Sequence, residues 1–148
     1  MGRRRAVAAV AALVLALEAC VLVLLNLFLG KVADAQEMSL AGIDPHAMAV
    51  SAWIGAALVG GYVLGCALIL ARTALRDRGP HGFFRIALIS CAVVHALLGA
   101  FSIGLVGWSA FAFMMVVLGL VVWTLTWYAA AEETAGKPAA GPLTPTSR

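Results

Sequence analysis

The chain has 148 residues, of which 64% are hydrophobic and 11% charged, with a formal net charge of +3. A soluble domain is about 45–50% apolar and about a quarter charged, so the composition excludes a soluble globular protein. It points to an all-α integral membrane protein whose length is counted in spans rather than domains. The basic residues lie beside apolar runs and form no separate patch, which speaks against a nucleic-acid partner.

Residues 6–30 form an apolar run broken by Glu18 at the midpoint and Asn26 near the far end. About 25 residues at 1.5 Å each give roughly 37 Å of helix, enough to cross a hydrocarbon core of about 30 Å. A central acidic residue costs about 2.5–3.5 kcal/mol on insertion scales, so Glu18 requires compensation elsewhere in the chain. The stub Arg3-Arg4-Arg5 and the run behind it have the layout of a secretory leader. Ala33-Asp34-Ala35 is placed like a cleavage site, and Leu17-Glu18-Ala19-Cys20 like a lipoprotein box. The run exceeds the roughly 7–15 apolar residues of a leader and stays apolar past Cys20, so it is expected to remain as an anchor.

A polar loop follows over 31–44, with Asp34, Glu37 and Asp44. Asp44-Pro45 has the chemistry of a helix start, Asp as N-cap and Pro in the first turn. The second span is expected over about 47–70. Its small residues Ala57, Gly61 and Gly65 are four apart, a spacing that lets helix backbones approach closely. Arg72, Arg76, Asp77 and Arg78 continue this helix into water, and Gly79-Pro80 ends it. His81 to Arg85 is an aromatic and basic interface belt. From 83 to 131 Arg85 is the one charged residue, a length suited to two spans, about 83–106 and 108–130, with the break between Gly104 and Ser109. Ala92, Ala96, Ala100 and Gly104 make a second small-residue stripe for helix packing. Trp127 and Tyr128 read as an interface belt. Residues 132–148 are rich in Pro, Ala, Thr and Gly and are expected to form a disordered tail. Cys20, Cys66 and Cys91 all fall within apolar runs, where they read as core packing residues.

Arginine and lysine set the expected orientation. Arg3, Arg4, Arg5, Arg72, Arg76, Arg78, Arg85, Lys137 and Arg148 fall on one side and Lys31 on the other. The positive-inside rule then places both termini in the cytoplasm of a multi-pass cell-membrane protein. The juxtamembrane arginines 3, 4, 5, 72, 76, 78 and 85 serve as topology signals and contacts for lipid headgroups.

The first and third spans run in the same direction. Glu18 is the midpoint of one and His95 is near the midpoint of the other, so the two lie at the same depth to within about one turn. They are expected to form an intramembrane polar pair. Both groups avoid charge in a low dielectric, which favours a carboxyl hydrogen-bonded to a neutral imidazole over an ion pair. The same arithmetic puts Asn26, Ser51 and Ser102 at one depth as a secondary polar layer, and Ser90 level with Thr124. His46 beside Asp44, with Asp34 and Glu37 nearby, has no metal-ligand spacing.

No Cys-x-x-Cys pair, His-Glu-x-x-His motif, phosphate loop or Ser/His/Asp set is present, so no catalytic residues, metal or cofactor are expected. Glu18, in Ala16-Leu17-Glu18-Ala19, resembles the membrane-embedded glutamate of the small multidrug resistance transporters. That resemblance covers one helix and implies proton exchange for a cationic substrate. Across most of its spans the chain resembles small four-span integral membrane proteins of unknown function from high-GC bacteria. The likeness rests on the basic stub, Leu17-Glu18-Ala19, and Met115-Val116-Val117-Leu118-Gly119 through Trp123; it implies a fold and a location. The expected function is a non-enzymatic structural or accessory subunit with a buried Glu18–His95 clamp, in contact with lipid and with another membrane protein or further copies of itself. The alternative is a small proton-coupled transporter using Glu18.

Overall fold

The computed structural model describes residues 2–37 and 42–136, the side chains of 105 and 132–136 excepted. Every regular element among them is helical: α1 (Arg3–Ala35), α2 (Pro45–Gly55), a π-helical turn (Ala56–Gly60), α3 (Gly61–Arg76), α4 (Phe83–Leu105) and α5 (Trp108–Gly136). The turn joins α2 and α3 into one continuous apolar helix. Among the described residues, four helices are thus long and apolar enough to cross a membrane.

The spans stand in a ring. α1 packs closely on α3 and also on α2 and α5; α4 packs closely on α5 and only sparsely on α3. The α1 and α4 backbones do not approach each other, so the first and third spans face each other across the diagonal. Each span buries one stripe at three- and four-residue spacing, as one face of a helix must. On α1 the stripe is Ala8, Ala11, Ala12, Leu15, Glu18 and Ala19; on α4 it is Leu88, Cys91, Ala92 and His95. Most of these residues are small, so the backbones come close. Many large apolar side chains, among them Leu13, Leu17, Leu24, Phe28 and Leu68, point outward, as suits a lipid-facing surface.

Helix ends differ from the sequence expectations in three places. α1 does not leave at Gly30 but continues to Ala35; Gly30 is buried, and a Cβ there would collide with the Trp53 indole. Asp44 does cap α2, its Oδ1 accepting from Ala47 N at 3.1 Å. α3 stops at Arg76, because Asp77 takes a left-handed conformation (φ 52°) that Asp tolerates better than most residues. α4 and α5 break where expected, at Gly107 (φ 116°). α5 then continues helical through Gly136, five residues into the tail expected to be disordered from 132. The rest of that tail and residues 38–41 lie outside the described residues.

The expected packing stripes need correction. Ala57 and Gly61 are exposed, and a Cβ built on Gly61 or Gly65 meets nothing within 4 Å. The buried line on the second span is displaced by one position, through Ala56, Gly60, Val63, Ala67 and Leu70. On α4, Ala92 is buried but Ala96 and Ala100 are exposed. A strict four-residue repeat drifts about 40° per step on a helix of 3.6 residues per turn, so that stripe walks off the interface. The close approaches are made by Gly60, against Val23 of α1, and Gly99, against Met114 and Met115 of α5.

A methyl group at Gly60 would press on the stiff, β-branched Val23. Gly60→Ala is expected to destabilise the protein by about 1–3 kcal/mol through overpacking. Gly61→Ala should be neutral or stabilising by up to about 1 kcal/mol through helix propensity. Thermal unfolding of the two variants in mild detergent compares them directly.

Candidate functional site

Glu18 and His95 occupy the central buried positions of the α1 and α4 stripes. The side chain of Glu18 is 6% exposed and that of His95 2%. Ala19, Cys91 and Ala92 are buried next to them on the same stripes, and the two long side chains meet across the diagonal. His95 Nε2 lies 3.2 Å from Oε1 and 3.1 Å from Oε2 of Glu18. His95 Nδ1 lies 2.7 Å from the carbonyl oxygen of Cys91.

That second contact fixes the tautomer. A carbonyl accepts only, so Nδ1 carries a hydrogen and donates to Cys91. Nε2 is then either a lone pair accepting from a protonated Glu18 or a second N–H donating to the carboxylate. In both forms one proton lies between Nε2 and Glu18, and the pair as a whole is neutral. Removing that proton, or adding another, would leave a net charge in the core at a cost of several kcal/mol. Among the described residues, no buried side-chain nitrogen or oxygen lacks a hydrogen-bond partner.

Cys91 Sγ is 3.6 Å from His95 Nδ1, which completes a Cys–His–Glu series. It is not arranged for nucleophilic chemistry. The nitrogen nearest the thiol presents its hydrogen to a backbone carbonyl and no lone pair to the sulfur, and Cys91 is fully buried. The clefts between α3 and α4, α1 and the second span, and α4 and α5 are lined by neither Glu18 nor His95.

The secondary layer does not assemble. Asn26 donates to its own Leu22 carbonyl at 2.9 Å, Ser51 to Met48 at 2.7 Å and Ser102 to Gly99 at 2.7 Å. Equal depth brought no contact because each side chain reaches a carbonyl of its own helix. Thr124 likewise bonds Leu120 at 2.8 Å. Ser90 pairs instead with Tyr62, hydroxyl to hydroxyl, at 2.7 Å. At the loop end His46 Nδ1 lies 3.4 Å from Asp34 Oδ1, both exposed, and no group of three potential metal ligands forms among the described residues.

A second polar cluster ties the opposite end. Arg4 donates twice to Asp77, Nε to Oδ1 and a terminal nitrogen to Oδ2, both at 2.8 Å. The Tyr128 hydroxyl donates to Asp77 Oδ1 at 3.1 Å, and the Arg4 guanidinium lies 5.5 Å from the Tyr128 ring centre. Arg5 donates to the Ala74 carbonyl at 2.9 Å, one of the carbonyls that a helix C-terminus leaves unpaired. Arg4 and Arg5, expected as topology signals, thus bind α3. Tyr128, expected in an interface belt, is 2% exposed. One sequence signal marked this cluster: Asp77 is the sole acid in an arginine-rich segment, Arg72 to Arg85. Arg72, Arg76, Arg78 and Arg85 remain exposed.

Comparison of the chain with protein-family models, curated proteins and solved structures gives no match.

The double hydrogen bond from Arg4, with the Tyr128 hydroxyl and the nearby Arg5 charge, holds the Asp77 carboxyl below the usual carboxylate range despite partial desolvation. A depressed carboxyl pKa contributes stability that is present in full above the unfolded value, about 4, and is lost as pH falls through the folded value. Asp77→Asn is expected to melt below the wild type at pH 7. The gap should close on acidification below about pH 4, as read by thermal unfolding in detergent across pH.

Proposed function

We propose that the chain is a non-enzymatic, multi-pass structural or accessory component of the cell membrane, with both termini cytoplasmic. In this reading Glu18–His95 is a clamp that fixes the first span against the third. The single observation that carries it is that the pair is closed. Both side chains are buried and hydrogen-bonded to each other, and neither lines the three clefts described above. The orientation is supported by the arginine and lysine distribution. It is also supported by the Arg4–Asp77–Tyr128 cluster, which gathers the start of α1, the end of α3 and the last turns of α5 at one end of the bundle. An accessory role is supported by the small size of the bundle and its mostly apolar outer surface.

A clamp makes a specific demand on stability. Removing one partner strands a buried polar group, at about 1–3 kcal/mol, whereas replacing both by apolar side chains is often nearly neutral. Glu18→Leu and His95→Leu are each expected to lower stability in detergent, and the double variant is expected to recover most of the loss. A double variant no more stable than the worse single variant would remove the clamp reading.

One observation favours proton-coupled transport as a second reading. The shared proton can move along a 3.1 Å line with no change in the net charge of the pair. Proton flux in proteoliposomes that disappears in Glu18→Gln would establish it, and equal flux would dismiss it.

A further inference from the structure

The seam between α3 and α4 is the least packed in the ring, and it opens into a cleft of about 800 Å³. One wall is a single stripe of α3: Gly61, Gly65, Leu68, Arg72 and Arg76. The facing wall, near the basic end, is Phe83 and Phe84, with Arg78 in the connection. The floor is closed by the Tyr62 hydroxyl and the Cys66 thiol, both bonded to the Ala87 carbonyl at 3.3 and 3.8 Å.

The chemistry changes along the cleft. Its deep half is apolar and lined by bare glycine backbone, where an added Cβ would meet nothing within 4 Å. Its shallow end holds three exposed guanidiniums. Arg72, Arg76 and Arg78 have no polar partner among the described residues, and Asp77, the one acid in their segment of sequence, is taken by Arg4 and Tyr128. From Gly61 to Arg72 the helix rises roughly 16 Å, close to half of a hydrocarbon core of about 30 Å. An apolar channel one leaflet deep therefore ends in uncompensated positive charge at headgroup level.

We infer that this cleft binds one anionic phospholipid, drawn from the leaflet at the arginine end. The phosphate sits among Arg72, Arg76 and Arg78, and an acyl chain lies along Gly61 and Gly65. A soluble phosphate would leave the apolar half of the cleft unused. A partner helix would have to bring acids to a depth where an anionic lipid already carries its phosphate.

The test uses the full chain in mild detergent, titrated with phosphatidylglycerol, phosphatidylcholine or inorganic phosphate and read by native mass spectrometry. One phosphatidylglycerol is expected per chain, held at least tenfold more tightly than phosphatidylcholine of the same acyl chains. Basic juxtamembrane residues each contribute about fivefold toward anionic lipid, so Arg72→Gln with Arg76→Gln should weaken retention about 25-fold. Gly65→Leu, whose Cβ has open space around it and whose side chain projects into the cleft, should weaken it tenfold or more while the bundle stays folded. Four results would overturn the inference: equal retention of the two lipids, displacement by inorganic phosphate alone, retention unaltered in Gly65→Leu, or a second polypeptide bound where the lipid should be. Were Gly65→Leu to unfold, the arginine variants, altered only at exposed side chains, would decide between the same outcomes.

Discussion

A carboxyl group in the middle of an apolar helix is the constraint on which the bundle turns. Glu18 is almost wholly buried inside the bundle, where another side chain must satisfy it. The answer is a histidine on the opposite span, reached through the centre of the ring. Because α1 and α4 are diagonal, the contact is made by side-chain length alone, and the residues around it must be small. Ala11, Ala12, Ala19, Cys91 and Ala92 are the buried neighbours along the two stripes that leave this room. The Cys91 carbonyl, one turn before His95, holds the imidazole in the tautomer that leaves a single proton for the acid.

Four spans, their approximate limits and the equal depth of Glu18 and His95 were legible in the sequence, because hydropathy and a rise of 1.5 Å per residue are one-dimensional properties. Facing was not. Asn26, Ser51 and Ser102 share a depth, yet each closes on its own helix, since a carbonyl three or four residues back is always in reach. The glycine stripe failed for a related reason. Small residues mark both close approach and open space, and only the neighbour's position separates Gly60 from Gly61. Arg4 and Arg5 looked like topology signals because their partners, Asp77 and the end of α3, lie about 70 residues away in sequence.

The two polar clusters differ in kind. The Arg4–Asp77–Tyr128 group is part-buried and near the water, so its charges are screened and its strength follows pH. The central pair is dry and neutral as a unit, so salt should hardly affect it. Between them they tie α1 to α3, α4 and α5, which makes the first helix the hub of the fold. The second span carries a π turn at Ala56–Gly60, which falls where Gly60 meets Val23 of α1. Such turns often mark places where a helix adapts to a neighbour or a function.

On α1, Arg4 and Glu18 stand 14 residues apart, roughly 21 Å along the axis, one anchor at the end that carries the termini and the other at mid-depth. Beyond Asn26 the polar side chains at membrane depth bond their own helices. The bundle is therefore stiff on the side of its termini and compliant on the other, where dispersion and glycine contacts such as Gly30 against Trp53 hold the spans together. Breathing motions should be graded across the bilayer, small at one surface and large at the other, as in a hinge fixed along one edge.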